Sequence, residues 1–234
     1  TLPWLHRRVP VRFISPDAHG VIPLEAIKKH LSPSVKTIVT SYVQYRNGFR
    51  QDLEALGKMK AGRFLVVNAT QGFGVLPIDV ARWQADFLCA NSYKWFLAGY
   101  GGGIVFMKRK WIDAFRPSFA GWRSMKHPEV YDNRRVDLKR QASRYEYGCP
   151  PFVTAFTMGA MADYLGAIGM EAIARRVLEL TDYLIERLGE MGLEIATPLE
   201  RKYRSGIVVF RIRGAPKIVR VLLRKRIYVS QRGE

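Results

Sequence analysis

The residue whose type and position best suit chemistry is Lys94, which follows a short apolar run from Phe87 to Ala90. The run is too short for a helix and has polar residues on both sides, a pattern typical of a strand buried on both faces of a parallel sheet. In open α/β sheets, ligands bind outside the carboxyl ends of the strands. A lysine there, flanked by Tyr93 and Trp95, can lose hydration and react as a neutral amine.

A second apolar run, from Arg63 to Val67, also ends in hydrogen-bonding side chains, among them Asn68 and Gln71. The carboxyl ends of neighbouring parallel strands meet at one edge of a sheet, so we expect these side chains to gather near Lys94. The alternative is that Lys94 only ends a strand and points to water.

Four segments follow one another in an order and spacing that resemble the signature of class V aminotransferase-fold, pyridoxal-phosphate-dependent enzymes. That group includes cysteine desulfurases, selenocysteine lyases, kynureninases and isopenicillin N epimerase-like proteins. The segments are residues 67–71 (VNATQ), 76–80 (LPIDV), 85–87 (ADF) and 92–95 (SYKW). The resemblance extends from Trp4 to about Arg232 and implies a chain that is incomplete at both ends.

The resemblance implies an α/β fold of the aspartate aminotransferase-like type, with a mainly parallel sheet in a large domain. It places a partial cofactor-binding large domain at residues 1–150. Connecting helices and a partial small C-terminal α/β domain follow at residues 151–234. The alternation of strand and helix patterns independently favours a parallel sheet. Gly103 to Met107 follows a turn that is too short for a crossover, so this strand must pair antiparallel with its predecessor.

The same resemblance assigns roles around the cofactor. Lys94 would form a Schiff base with pyridoxal phosphate and then move protons at the α-carbon of an amino-acid substrate. Gln71 would hydrogen-bond the phenolic oxygen of the cofactor, and Asn91 and Tyr93 would contact its phosphate. Transferase, lyase and epimerase reactions all remain open after that step.

Three positions depart from the pattern of the resembled family. Asn68 stands where the family has an aspartate against the pyridine nitrogen. Asn91 stands where a serine is usual, and Cys149 replaces the common threonine that reaches the phosphate of the neighbouring subunit. The resemblance therefore implies a homodimer with shared active sites, in which Cys149 helps to bind the cofactor of the partner.

Composition limits the other classes of function. The two cysteines and four histidines have no metal-ligand spacing, so we expect no metal, and we expect a reducing cytoplasm. Residues 87–107 are long enough to span a bilayer, but a central lysine costs about 2.5–3.5 kcal/mol, so we expect no membrane segment. The net charge of +18 leaves one alternative, a non-catalytic remnant that acts as a basic nucleic-acid- or protein-binding module. No nucleic-acid-binding motif accompanies the charge, so we expect no nucleic-acid partner.

Local patterns predict the remaining elements. An edge strand is predicted at residues 9–14, and further strands at 36–41, 207–210 and 227–230. Helices are predicted at 23–31, 52–59, 154–168 and 171–190, and Gly192 would end the last one. The last helix should bury one stripe, formed by Ile173, Val177, Leu180, Leu184 and Leu188.

Overall fold

The computed structural model describes residues 2–132 and 134–232. In chain order its helices are α1 (Leu2–His6), α2 (Leu24–Lys29), α3 (Leu53–Met59), α4 (Arg109–Ala114), α5 (Phe152–Ile168), α6 (Met170–Glu190) and α7 (Ala215–Arg224). The strands are β1 (Thr37–Ser41), β2 (Phe64–Asn68), β3 (Phe87–Asn91), β4 (Gly103–Met107), β5 (Glu194–Ile195) and β6 (Phe210–Arg211). The chain divides into two compact units, residues 33–42 with 52–174, and residues 1–32 with 43–51 and 175–234. The predicted domain boundary at residue 150 stays a prediction.

The first unit is organised by a four-stranded sheet in the order β1-β2-β3-β4. Strands β1, β2 and β3 are parallel, and β4 pairs antiparallel with β3. In this register Ser41 lies opposite Asn68, and Asn68 lies opposite Cys89. The predicted mainly parallel sheet with an antiparallel last strand is therefore confirmed.

One face of this sheet is buried and the other is covered only in part, which corrects the prediction that β3 is buried on both faces. Leu65, Leu88 and Ala90 point into the core, whereas Cys89 is exposed and Val105 is 75% exposed. Successive strand residues point to opposite faces, so a continuous apolar run does not reveal whether the second face is covered. On that second face, Phe64 and Phe87 are partly buried against Trp111 and Phe115, whereas the part around Cys89 and Val105 borders solvent.

Two aspartates of the first unit, Asp52 and Asp86, form hydrogen bonds that stabilise the start of α3 and one end of the sheet. Asp52 caps α3 by accepting a hydrogen bond from the Ala55 N–H at 2.9 Å. Asp86, which is 2% exposed and precedes β3, accepts hydrogen bonds from the Leu65 N–H (3.0 Å), the Trp111 indole N–H (2.8 Å) and Lys60 Nζ. Asp86 therefore connects β2, β3 and α4 at the end of the sheet away from Lys94.

Helices α5 and α6 confirm the two predicted helices, but the predicted apolar stripe of α6 is wrong in part. Leu188 is buried, whereas Leu180 is 50% exposed and Leu184 is 43% exposed. The buried positions also include Ala174 and Thr181. Gly192 ends α6 with φ +70°, as predicted.

The second unit contains a two-stranded antiparallel sheet, in which β5 pairs with β6. The strand predicted at residues 207–210 is confirmed only at Phe210. The strands predicted at 9–14 and 227–230 are wrong, since both segments are irregular and the only regular element near the start is α1. A β-branched run forms a strand only when another strand pairs with it, and no described strand lies beside these two. The Asn47 side chain holds the turn at Asn47 and Gly48, because it accepts from the Phe49 N–H and donates to the Gly20 carbonyl.

Candidate active site

An open groove of about 540 Å³ lies at the carboxyl ends of β2 and β3. Its far wall is the glycine-rich loop that leads into β4. The sequence predicted this location, because ligands of parallel sheets bind where the strands end. The lining residues are Asn68, Thr70, Cys89, Ala90, Asn91, Tyr93, Tyr100, Gly101, Gly102, Gly103, Ile104 and Val105. Three of the six predicted cofactor-binding residues, Asn68, Asn91 and Tyr93, therefore lie together.

The floor of the groove is a tight turn after β2. The Thr70 N–H donates to Asn68 Oδ1 at 3.0 Å, which is the hydrogen bond of an Asx turn. The Asn91 N–H donates to Thr70 Oγ1 at 3.3 Å, and the Ala69 N–H donates to the Cys89 carbonyl at 2.8 Å. These bonds hold the ends of β2 and β3 side by side, so Asn68 and Asn91 face the same groove.

Lys94 lies in the turn after β3 and is partly buried. Its Nζ is 5.8 Å from the centroid of the Tyr93 ring, and Tyr93 stacks on Tyr100 with centroids 4.8 Å apart. The Lys94 carbonyl accepts from the Leu97 N–H at 3.0 Å, and Leu97 has a φ of +59°. The aromatic pair thus joins the lysine turn to the wall of the groove, although Lys94 is not among the residues that line it.

Ser92 fixes the glycine-rich loop against the lysine turn. It is fully buried, and its hydroxyl lies 2.9 Å from both the Gly99 and the Gly102 carbonyl oxygens. The Ala98 N–H donates back to the Ser92 carbonyl at 3.0 Å. Only glycine fits at Gly103, because an added Cβ would lie 2.6 Å from the Ala90 carbonyl oxygen. The loop therefore approaches β3 more closely than a side chain would permit.

Gln71 is partly buried in the turn after β2 and does not line the groove. The same turn contacts the lysine loop at Gly74, whose φ is +94° and whose added Cβ would lie 2.6 Å from the Phe96 backbone nitrogen. The two loops therefore pack backbone against backbone. Phe73 and Phe96 add a stacked contact with ring centroids 4.3 Å apart.

Both cysteines are exposed free thiols. Cys89 lines the groove, and desolvation by the surrounding protein raises the pKa of its thiol. Cys149 lies outside the groove lining, so within one chain the structure does not bring it together with Asn68, Asn91 and Tyr93.

Sequence reasoning missed Thr70, Tyr100 and Ser92 as organisers of the site. Thr70 could have been found from its place two residues after Asn68, because an asparagine at a strand end commonly forms an Asx turn. The stacking of Tyr100 on Tyr93 had no sequence signal, since it depends on the path of the glycine loop between them.

Among the residues that the structure describes, no group of three or more His, Cys, Asp or Glu side chains could hold a metal ion. Residues 87–107, which have the length of a membrane span, form β3, a loop and β4. Within the same described residues, no single helix has the length and apolar composition to cross a membrane. Only α5 and α6 taken together pass that test, and they are bent by 77° relative to each other.

Comparison with known proteins gives the family. Residues 2–234 match the family model described as Aminotransferase class-V. This chain belongs to the class V aminotransferase family. It is 27% identical over 221 residues to the uncharacterized aminotransferase YcbU of Bacillus subtilis, covering 94% of this chain and 58% of that protein. It is 26% identical over 217 residues to a probable cysteine desulfurase of Pyrococcus abyssi, covering 90% of this chain and 53% of that protein.

A solved structure supports the same family. The apo structure of a cysteine desulfurase from Thermococcus onnurineus NA1 superposes with a TM-score of 0.88 at 25% identity. The match covers 97% of this chain and 57% of that chain. The predicted fold, that of the pyridoxal-phosphate-dependent transferases, is therefore confirmed. The chain spans little more than half the length of the relatives that it matches.

Proposed function

We propose that the full-length protein is a pyridoxal-phosphate-dependent enzyme that acts on an amino acid, with the Lys94 amine as the group that bonds to the cofactor. The reaction is that of an aminotransferase, a lyase or an epimerase of the class V type. The observation that carries this proposal is the position of Lys94, one turn beyond β3 and joined through Tyr93 and Tyr100 to a polar groove at the strand ends. Family membership supports it, because class V aminotransferases use this cofactor.

The residues of the groove fit the proposed cofactor. Asn68, Asn91 and Tyr93 supply amide and hydroxyl donors, and a phosphate monoester and a pyridine ring both need such donors. Gly102 and Gly103 give the wall a bare backbone, which lets a flat ring approach closely. When bound, pyridoxal phosphate supplies an aldehyde and an electron-withdrawing ring.

The roles proposed for the individual side chains come from the family resemblance. Lys94 offers its amine to the aldehyde and holds the proton that moves at the substrate α-carbon. Asn91 and Tyr93 bind the phosphate, and Gln71 orients the phenolic oxygen. Ser92 acts indirectly, because its hydroxyl lies between the Gly99 and Gly102 carbonyl oxygens and donates its one proton there, which keeps the wall of the groove in place.

The proposal extends to a homodimer with shared active sites. Cys149 is exposed and lies outside the groove lining of its own chain, which suits a residue that serves the partner's site. We place the protein in the cytoplasm, where both free thiols would stay reduced. We expect no membrane or nucleic-acid partner.

A titration of the full-length protein with pyridoxal phosphate, followed by visible absorption, tests the proposal. The wild type should turn yellow and lose that colour on reduction with borohydride, whereas Lys94→Ala should show no borohydride-sensitive band. Lys110→Ala is the matched control, since Lys110 is an exposed lysine on α4 whose Nζ lies 4.4 Å from the Trp111 ring centroid. A colourless protein that co-purifies with nucleic acid would favour the basic binding module instead.

A further inference from the structure

The orientation of the Asn68 amide determines what this residue can offer to a ligand. Its Oδ1 accepts the hydrogen bond from the Thr70 N–H at 3.0 Å. A backbone N–H needs an acceptor, so this contact identifies the side-chain oxygen without ambiguity. No described residue accepts a hydrogen bond from Asn68 Nδ2. The turn after β2 therefore directs Asn68 Oδ1 toward the Thr70 backbone, and the two N–H donors of Nδ2 remain available to the groove.

No carboxylate accompanies Asn68 in the groove. Among the described residues that line it, none is an aspartate or a glutamate. The described lining therefore offers no carboxylate that would stabilise an extra proton on a basic ring nitrogen.

Two acids between Asn68 and Asn91 in the sequence, Asp79 and Asp86, are used elsewhere. Asp86 is buried at the opposite end of β3, where Lys60, Trp111 and Leu65 occupy its oxygens. Asp79 lies in an exposed turn, and its Oδ1 accepts from the Ala81 and Arg82 N–H groups at 3.0 and 2.8 Å. Neither residue lines the groove.

We propose that Asn68 donates a hydrogen bond to the ring nitrogen of the bound cofactor and thereby keeps that nitrogen unprotonated. This inference rests on the proposed function and on the family resemblance that puts position 68 against the ring nitrogen. A donor can bond only to the free lone pair of the nitrogen, whereas an aspartate would bond to its protonated form. An unprotonated ring withdraws electrons less strongly, so the protein is suited to a reaction that needs only weak stabilisation of negative charge at the substrate α-carbon.

Asn68→Asp is a specific test because it keeps the turn. One carboxylate oxygen can still accept from the Thr70 N–H, while the other replaces the amide donor with an acceptor. Asp79→Asn is the matched control, since it makes the reverse exchange in a similar turn outside the groove. All measurements use the full-length protein reconstituted with cofactor that carries ¹⁵N in the ring.

The ¹⁵N chemical shift of the ring reports its protonation, with the free cofactor in its two protonation states as references. At pH 7.5 the wild type and Asp79→Asn should be less than about one tenth protonated and Asn68→Asp more than about nine tenths, a change that needs a pKa rise of about two units. A protonated ring in the wild type, or an unprotonated ring in Asn68→Asp, would overturn the inference. A shift in Asp79→Asn would overturn the attribution to Asn68.

Borohydride reduction and peptide mapping of the same samples separate this inference from the proposed function. Label on Lys94 together with a protonated wild-type ring would leave the proposed function intact and reject the role of Asn68. An absence of label on Lys94 would reject both.

Discussion

Replacement of Asp86 should destabilise the unit that holds the candidate site, although Asp86 lies at the far end of the sheet from Lys94. The carboxylate is 2% exposed and accepts from a lysine, an indole and a backbone N–H. Burial alone would raise its pKa, but the hydrogen bonds from Lys60, Trp111 and Leu65 outweigh that effect, and the pKa of Asp86 lies below the ordinary value of 3.8.

The size of the destabilisation follows from the donors that lose the Asp86 carboxylate. In Asp86→Asn, the amide can accept from fewer donors and places its own N–H₂ group against one of them. The Lys60 side chain, only 11% exposed, also loses its counter-charge. Removal of one member of a buried pair typically costs about 3–5 kcal/mol, so we expect a loss of about 3 kcal/mol for the isosteric change. Glu25→Gln, at a side chain that is 76% exposed, should cost less than about 1 kcal/mol.

Urea unfolding of the full-length variants, monitored by circular dichroism, measures how much each substitution lowers the unfolding free energy. With a slope of about 3 kcal/mol per M, a loss of 3 kcal/mol lowers the midpoint by about 1 M. A midpoint shift for Asp86→Asn no larger than that of Glu25→Gln would show that the buried contacts contribute nothing net, and would refute the reasoning.

The difference in unfolding free energy between wild type and Asp86→Asn should depend on pH in a known direction. A carboxyl whose pKa is lowered on folding contributes its stability above its unfolded pKa and loses it as the pH falls through its folded pKa. The difference in unfolding free energy between wild type and Asp86→Asn should therefore be constant from pH 7.5 to about 5. It should become smaller below about pH 4.

Two further predictions concern the loop contact and the dimer. Gly74→Ala should lower the unfolding free energy by about 1–3 kcal/mol more than Gly62→Ala does. Both glycines have positive φ, but only Gly74 has backbone within 2.6 Å of an added Cβ. Equal urea midpoints for the two variants would reject the close contact. Cys149→Ala should weaken cofactor binding about fivefold, the loss of roughly one hydrogen bond. Mixing Cys149→Ala with Lys94→Ala should restore wild-type affinity at one site per mixed dimer, and no restoration would show that Cys149 does not act across the interface.

The sequence predicted the sheet well because its signals are local. The strands around Val39, Leu65 and Leu88 are short apolar runs, and a helix pattern separates the first two. The tight glycine turn before β4 forces an antiparallel pair. The place where the polar side chains gather follows from the same topology, since the ends of parallel strands share one edge. Asn68, Asn91 and Tyr93 were found by this logic together with the family resemblance.

The failures of prediction depend on contacts between distant parts of the chain. Residues 227–230 have the composition of a strand, but Tyr228 is 80% exposed and no described strand lies beside it. The exposure of Cys89 could not be seen in β3 itself, because burial of a strand face depends on what packs against it. The amide orientation of Asn68 likewise depends on the Thr70 backbone, and no composition or spacing rule gives it.

The most direct test of the central claim is the identity of the lysine that bonds to the cofactor. The full-length protein, saturated with pyridoxal phosphate, is reduced with borohydride, digested and mapped by mass spectrometry. The position of Lys94 at the end of β3 predicts that the pyridoxyl group is found on the peptide containing Lys94 and is lost in Lys94→Arg. Label on a different lysine, or no label with the cofactor in excess, would contradict the account.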